Sequence, residues 1–144
     1  TPGEEAEKAG VEADQGLKGK RVLLAEDNEL NWEVARELLA VLEMELDWAE
    51  NGQTCVTKFG ESPVGYYDAI IMDVRMPVMD GYEATRKIRK MQREDADIPV
   101  IAMTADAFSE DIQKCLECGM NDHLAKPIDI EVITCKLKKY LCIK

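Results

Sequence analysis

Asp73 ends the apolar run Ala69-Ile70-Ile71-Met72 and opens the stretch Val74-Arg75-Met76-Pro77-Val78-Met79-Asp80-Gly81. Three other polar pieces follow apolar runs in the same way: Glu26-Asp27 after Val22-Leu23-Leu24-Ala25, Thr104-Ala105 after Val100-Ile101-Ala102-Met103, and Lys126-Pro127 after His123-Leu124-Ala125. A short unbroken apolar run reads as a strand buried on both faces, as strands of parallel sheets are. Polar residues just past the C-terminal ends of such strands fall where open α/β sheets bind ligands. Three carboxylates, a hydroxyl and a lysine on one sheet edge suit a divalent cation and a phosphoryl group. Clustered carboxylates repel one another unless a cation sits among them. Mg²⁺ takes few carboxylates, together with waters and phosphate oxygens. Asp73 is then the candidate nucleophile, forming an aspartyl phosphate. Lys126 would draw off charge as it spreads over the equatorial oxygens, and Thr104 would donate a hydrogen bond to one of them. Small Ala105 would leave room for the donor. Each residue alone also has a plainer reading. Asp27 and Asp80 could be helix N-caps, and Lys126 a solvated lysine. The joint pattern argues for the chemistry.

The elements that must position these groups alternate along the chain. Arg21 to Ala25, Glu45 to Ala49, Asp68 to Asp73, Pro99 to Met103 and His123 to Ala125 read as strands. The first helix carries Leu30, Val34, Leu38, Val41 and Leu42 at helical spacing, taken as its inward row. A short helix with Cys55, Val56 and Phe59 follows the Asn51-Gly52 turn. Gly81 to about Gln92 forms the third helix, with Tyr82, Thr85 and Ile88 inward. Phe108, Ile112, Cys115 and Leu116 mark the fourth, which Gly119 closes. Ile130, Ile133, Leu137, Tyr140 and Leu141 mark the last, with Asp129 as N-cap. Five βα units with right-handed crossovers give an α/β fold: a doubly wound parallel sheet of flavodoxin-like (βα)5 type, strand order 2-1-3-4-5. That order makes Glu26, Asp27 and Asp73 neighbours.

Residues 1–19 read as a flexible linker, rich in glycine and charge with only Val11 and Leu17 as larger aliphatics, and residues 20–144 as one domain. The formal net charge of −11 disfavours nucleic acid and anionic membrane as partners. No apolar stretch approaches the ~20 residues that span a bilayer. Five cysteines, an odd number on predicted helices, argue against a secreted disulfide framework and for the cytoplasm. The chain opens on Thr1, which suggests a piece of a longer protein.

These motifs together resemble the receiver domain of two-component response regulators over residues 20–144. The resemblance implies that Asp73 accepts phosphate from a phosphohistidine. It implies Mg²⁺ bound by Asp27, Asp73 and the backbone carbonyl of Arg75, with Glu26 acting through water. Thr104 would be the switch hydroxyl and Lys126 the phosphate's partner. His123, at the family's aromatic switch position, would turn inward with Thr104, or else is a half-buried histidine at a strand start. Arg75 and Asp106 would tune phosphoryl loss, or else are two solvated charges. The family usually has a cis bond at the position of Lys126-Pro127. Ala25-Glu26-Asp27-Asn28 with Leu30-Asn31, and Met103-Thr104-Ala105-Asp106-Ala107-Phe108, look most like receivers of hybrid sensor kinases, so the site would lie in the cytoplasmic part of a membrane sensor. The implied partners are a histidine kinase core or a histidine phosphotransfer domain, docking near the first helix, where Trp32 is a candidate contact. Self-association as a weak dimer is allowed. Phosphorylation would shift the face formed by the fourth helix, fifth strand and fifth helix. The domain would catalyse only its own phosphorylation and dephosphorylation.

Other readings fit less well. A pseudo-receiver that only binds partners would lack some of these groups. A dehalogenase-like phosphatase wants an Asp where Arg75 stands. A flavin-nucleotide binder wants a hydroxyl- and glycine-rich loop where Glu26-Asp27 stands. Cys115-Leu116-Glu117-Cys118 falls at a helix end, away from the N-terminus that would activate a thiol.

Overall fold

The structure, a computed structural model, describes residues 17–105, 109–126 and 128–141. Strands β1 (Arg21–Ala25), β2 (Glu45–Ala49), β3 (Ala69–Asp73), β4 (Val100–Thr104) and β5 (Asp122–Ala125) alternate with helices α1 (Glu29–Val41), α2 (Gly52–Glu61), α3 (Gly81–Arg89), α4 (Ser109–Cys118) and α5 (Ile130–Leu141). The strands form one parallel sheet in the order β2-β1-β3-β4-β5. This is the flavodoxin-like arrangement expected from the alternation of apolar runs. No helix among the described residues is long and apolar enough to cross a membrane.

The inner strands β3 and β4 are buried at every residue. Successive side chains point to opposite faces, so each strand feeds two cores. Val22, Leu24, Ala69, Ile71, Ile101 and Met103 pack with Ala35 and Leu39 of α1 and Ile133 and Leu137 of α5. Leu23, Ala25, Ile70, Met72, Val100 and Ala102 pack with Cys55 and Phe59 of α2, Ala84 and Ile88 of α3, and Cys115 of α4. The sheet is therefore covered on both sides, by α1 and α5 on one face and α2, α3 and α4 on the other.

Four helices open on an Asn or Asp side chain. Asn28 accepts from Asn31 N–H, Asn51 from Thr54 N–H, Asp80 from Glu83 N–H and Asp129 from Glu131 N–H, at 2.8 to 3.1 Å. Asp80 and Asp129 thus cap as expected, whereas Asn28, not Asp27, caps α1. Asp27 is left for other work.

Two helices pack in a phase the sequence did not suggest. On α1, Leu30 and Val41 are each 68% exposed and Val34 is exposed too; the buried positions are Ala35, Leu39 and Leu42. Apolar residues line both sides of this helix, and the face with small Ala35 is the one that lies flat on the strands. On α4, Leu116 is exposed and Cys118 buried in its place; Phe108 lies outside the described residues. Leu17, expected in the linker, is fully buried with the α1 and α5 core. The packed unit therefore takes in Leu17, while residues 1–16 lie outside the described residues.

Helix α1 ends in a Schellman turn: Met44 N–H donates to Leu39 O at 3.2 Å and Glu43 N–H to Ala40 O at 3.0 Å. Its left-handed residue is Glu43, at φ 59. Helix α4 ends in the same turn with Gly119 at φ 106. A glutamate there pays a steric cost that glycine avoids. Glu43→Gly is expected to raise stability by about 0.5 to 1 kcal/mol, after the extra freedom of glycine in the unfolded chain is subtracted. Urea unfolding checks it, and a destabilised variant would refute the strain argument.

Arg93 ties the end of α2 to the loop before β4. Its guanidinium donates to Asp95 through Nε and Nη2, to Phe59 O at 2.7 Å, and lies over the Phe59 ring at 4.4 Å. The hydrogen bond from Arg93 holds the Asp95 carboxyl below its usual 3.8. Below that pH the unfolded chain takes up a proton that the folded state resists, so the contribution is present above about pH 4 and lost as pH falls through the folded value. Asp95→Asn is expected to be less stable at neutral pH and to show a shallower loss on acidification; an acid limb as steep as wild type would exclude this pair as its source.

Candidate functional site

The register lines up the strand ends. Ala25 pairs Met72, Asp73 pairs Met103, and Thr104 pairs Ala125. Glu26 and Asp27 leave β1 beside the end of β3, Thr104 ends β4 next to it, and Lys126 leaves β5. One carboxylate oxygen from each of Glu26, Asp27 and Asp73 lies within 4.8 Å of the others. Lys126 Nζ donates to Asp73 Oδ2 at 2.7 Å and stands 3.1 Å from Glu26 Oε1. Glu26, Asp73 and Thr104 are 1%, 4% and 2% exposed, and Asp27 is open to solvent. The three acids and the lysine therefore lie together, and Thr104 ends the neighbouring strand beside them.

The electrostatics are unbalanced. Burial, then the charge of Asp73, pushes the Glu26 carboxyl up, against the N–H of Asn28 and the ammonium of Lys126. Burial works against the charge of Lys126, but Asp73 and Glu26 outweigh it and hold the ammonium above the usual lysine range. Glu26 Oε2 accepts from Asn28 N–H at 3.1 Å. Glu26 Oε1 is buried, with the Lys126 ammonium at ion-pair distance beside it. One ammonium faces three carboxylates, and a buried carboxylate oxygen has lone pairs to spare. Such a donor set fits a small hard cation that prefers oxygen ligands.

The β3–α3 loop walls the site. Asp73 Oδ1 accepts from Arg75 N–H at 3.1 Å. An open cleft of about 510 Å³ runs from Asp27 past Arg75, Met76, Pro77 and Tyr82 to Lys114. Met79 N–H bonds Pro77 O at 2.7 Å across Val78, which sits at φ 71. A β-branched residue in that region is strained, and strain of this kind gathers at functional loops. The first residues of two helices press on this loop. A β-carbon on Gly52 would lie 2.3 Å from Met79 O, and one on Gly81 would lie 2.3 Å from Asp73 O. The sequence marked Gly81 only as part of a motif; its packing against Asp73 is visible in the fold alone.

The remaining expected residues sort as follows. The side chain of Arg75 is exposed at the cleft. His123 is half-buried, its Nδ1 3.7 Å from Asp122 Oδ1. Asp106 and Pro127 lie outside the described residues, and with them the Arg75–Asp106 pair and the cis bond. Trp32 is half-buried and stacks on Trp48, with ring centroids 5.2 Å apart and planes 4° from parallel. Cys115 and Cys118 are buried, and burial pushes the Cys118 thiol up, which makes it a poor nucleophile.

Residues 22–138 match the family model described as the response regulator receiver domain. The chain is 37% identical over 126 residues to hybrid signal transduction histidine kinase L of Dictyostelium discoideum, covering 86% of this chain and 7% of that protein. It is 32% identical over 143 residues to histidine kinase 3 of Arabidopsis thaliana, covering 86% of this chain and 14% of that protein. The chain thus spans a small part of the curated relatives it matches. Among solved structures, the receiver domain of a Pseudomonas aeruginosa sensor histidine kinase, with a magnesium ion coordinated in its active-site cleft, aligns at TM-score 0.77 and 38% identity, covering 87% of this chain and 99% of that one. The receiver domain of a Saccharomyces cerevisiae response regulator, co-crystallised with a histidine phosphotransfer protein, aligns at TM-score 0.77 and 28% identity, covering 88% and 91%. Sheet order, the acidic edge and the family match agree: the chain is a receiver domain of two-component signalling.

Proposed function

We propose that this receiver is a phosphoryl-accepting switch in a phosphorelay, with Asp73 as the acceptor and a phosphohistidine as the donor. The observation behind it is the Asp73 carboxylate, 4% exposed, hydrogen-bonded to Lys126 Nζ at 2.7 Å and flanked by two more acids. An Asp73 oxygen attacks phosphorus, and the P–O bond forms as the P–N bond to imidazole breaks, the electron pair leaving with the ring nitrogen. Arg75 N–H and Lys126 hold the two Asp73 oxygens, so the carboxylate is oriented before the donor arrives. Glu26, Asp27 and Asp73, with the Arg75 carbonyl, would hold Mg²⁺, which when bound supplies positive charge for the phosphoryl oxygens. Thr104 then donates to one phosphoryl oxygen and Lys126 pairs with another. Their movement biases the α4, β5 and α5 face, with His123 turning beside Thr104. Arg75 and Asp106 set how fast water removes the phosphoryl group.

The donor is a histidine kinase core or a histidine phosphotransfer domain. The yeast complex supports the second by similarity. Exposed Leu30 and Val34 on α1, next to the site, are the apolar surface such a partner would cover. The longer protein is a hybrid histidine kinase with this receiver on its cytoplasmic side.

Incubation with acetyl phosphate and Mg²⁺, followed by intact mass, tests the reading. A phosphate adduct is expected on wild type, lost in EDTA and absent from Asp73→Asn. A folded, Mg²⁺-supplied wild type that neither gains phosphate nor binds beryllofluoride would refute the switch and favour a module that only binds partners.

A further inference from the structure

Both tryptophans of the chain stand beside the Glu26-Asp27 turn. Glu26 N–H donates to Ala49 O at 3.0 Å, the last rung between β1 and β2. In a continued parallel ladder the Glu26 carbonyl would accept from the N–H of Asn51. Asn51 has already turned to cap α2, its Oδ1 taking Thr54 N–H at 2.8 Å. The indole of Trp48 fills the place: its Nε1 donates to Glu26 O at 2.7 Å. The indole is itself held. Its ring stacks on Trp32, the carbonyl of Trp48 accepts from Lys58 Nζ, and Trp32 N–H bonds Asn28 O in the first turn of α1.

The Glu26 carbonyl belongs to the peptide that joins Glu26 to Asp27. Rotation of that peptide would swing Asp27 away from Asp73 and shift the buried Glu26 carboxylate. The backbone ladder stops one atom short of restraining it, and a side chain from the edge strand supplies the missing donor.

We propose that Trp48 is a positioning residue for the cation site, its indole N–H fixing the Glu26–Asp27 peptide so that the two acids and Asp73 converge. The inference rests on the reading that these acids hold Mg²⁺. Trp48 touches neither the cation nor the phosphoryl group; it acts through Glu26. Partners of metal-holding residues commonly change affinity by about ten- to a hundredfold when removed. A single bond to a backbone carbonyl belongs at the low end of that range.

Trp48→Phe keeps a stacking ring and deletes the donor. Calorimetric titration with MgCl2 alone is expected to show about tenfold weaker binding than wild type, with an unchanged far-ultraviolet spectrum. Trp32→Phe leaves Trp48 as the sole tryptophan and keeps its bond to Glu26. Its emission should then titrate with Mg²⁺ at the calorimetric midpoint, which a purely structural tryptophan would not do. Wild-type Mg²⁺ affinity in Trp48→Phe would overturn the inference while leaving the site reading intact. Should Trp48→Phe fail to fold, an emission from Trp32→Phe that ignores saturating Mg²⁺ would overturn it alone. A wild type that binds no Mg²⁺ would overturn both.

Discussion

Lys126→Ala is expected to cost the metal-free domain about 2 to 3 kcal/mol, and saturating Mg²⁺ to restore much of that loss. Its ammonium lies 2.7 Å from Asp73 Oδ2 and 3.1 Å from Glu26 Oε1, and both carboxylates are almost out of water. Removing one partner of a buried pair strands the other charge, at about 3 to 5 kcal/mol; the Lys126 side chain keeps a quarter of its exposure, and solvent screening trims the figure. A pH dependence follows. The Glu26 carboxyl is already pushed up, by burial first and the Asp73 charge second. Without Lys126 it rises further. A carboxyl raised on folding makes the native state bind more protons than the unfolded one, so stability falls as pH climbs from the unfolded value through the folded one. The variant's deficit should therefore be smaller near about pH 5 than near about pH 8. Mg²⁺ held by the folded cluster, as proposed above, would stabilise that state by mass action. Urea melts in EDTA and in Mg²⁺ at both pH values check all three parts. A variant as stable as wild type in EDTA would show that the buried pair contributes nothing, and a deficit that Mg²⁺ leaves untouched would argue against a cation among these acids.

How much of this was legible beforehand differs between the strand ends and the helix faces. The strands of a parallel sheet are buried on both sides, so Leu23-Leu24 and Ile70-Ile71-Met72 read as solid apolar runs, and whatever polar residue follows them is marked. That is why Glu26, Asp73, Thr104 and Lys126 stood out and why their convergence followed from strand order alone. Helix faces were harder. Leu30, Val34 and Val41 look like a core row, yet the chain buries Ala35 and Leu39 instead; period fixes the spacing of a stripe, not which of two apolar stripes meets the sheet. Leu116 and Cys118 were exchanged for the same reason. Contacts that depend on close approach left almost no trace. Nothing in Trp48 announced a bond to Glu26 O, because it joins the edge of one strand to the turn after another. Val78 reads as an ordinary loop residue, and only its backbone angle shows the strain.

Gly81→Ala is expected to be the most disruptive small substitution in the domain, costing about 3 kcal/mol or more and cutting phosphoryl acceptance by about a hundredfold or more. The added β-carbon would lie 2.3 Å from Asp73 O, 2.9 Å from Met72 Cγ and 3.0 Å from Val74 Cα. Two of those three atoms are backbone and have no rotamer to retreat into. Gly81 N–H also bonds Val74 O at 3.1 Å, and Asp80 caps the helix that starts here. The start of α3 is thus seated on the peptide of Asp73 itself, and a methyl group must push one off the other. If α3 lifts, the helix loses the contacts of Ala84 and Ile88 and stability falls. If β3 yields, Asp73 moves relative to Lys126, and a shift of about 1 Å in a reacting group is enough for a hundredfold loss of rate. Gly60→Ala is the contrast: it lies in α2 with its nearest neighbour, the flexible end of Met91, at 3.5 Å, and should stabilise by about 0.5 to 1 kcal/mol. Urea melts and the acetyl phosphate adduct, measured on both variants, separate the cases. A Gly81→Ala protein with wild-type stability and wild-type acceptance would mean that the helix and the strand end are not in contact. Loss of acceptance with stability retained would mean that the strain is absorbed at Asp73, where β3 meets the strained loop, rather than by the helix.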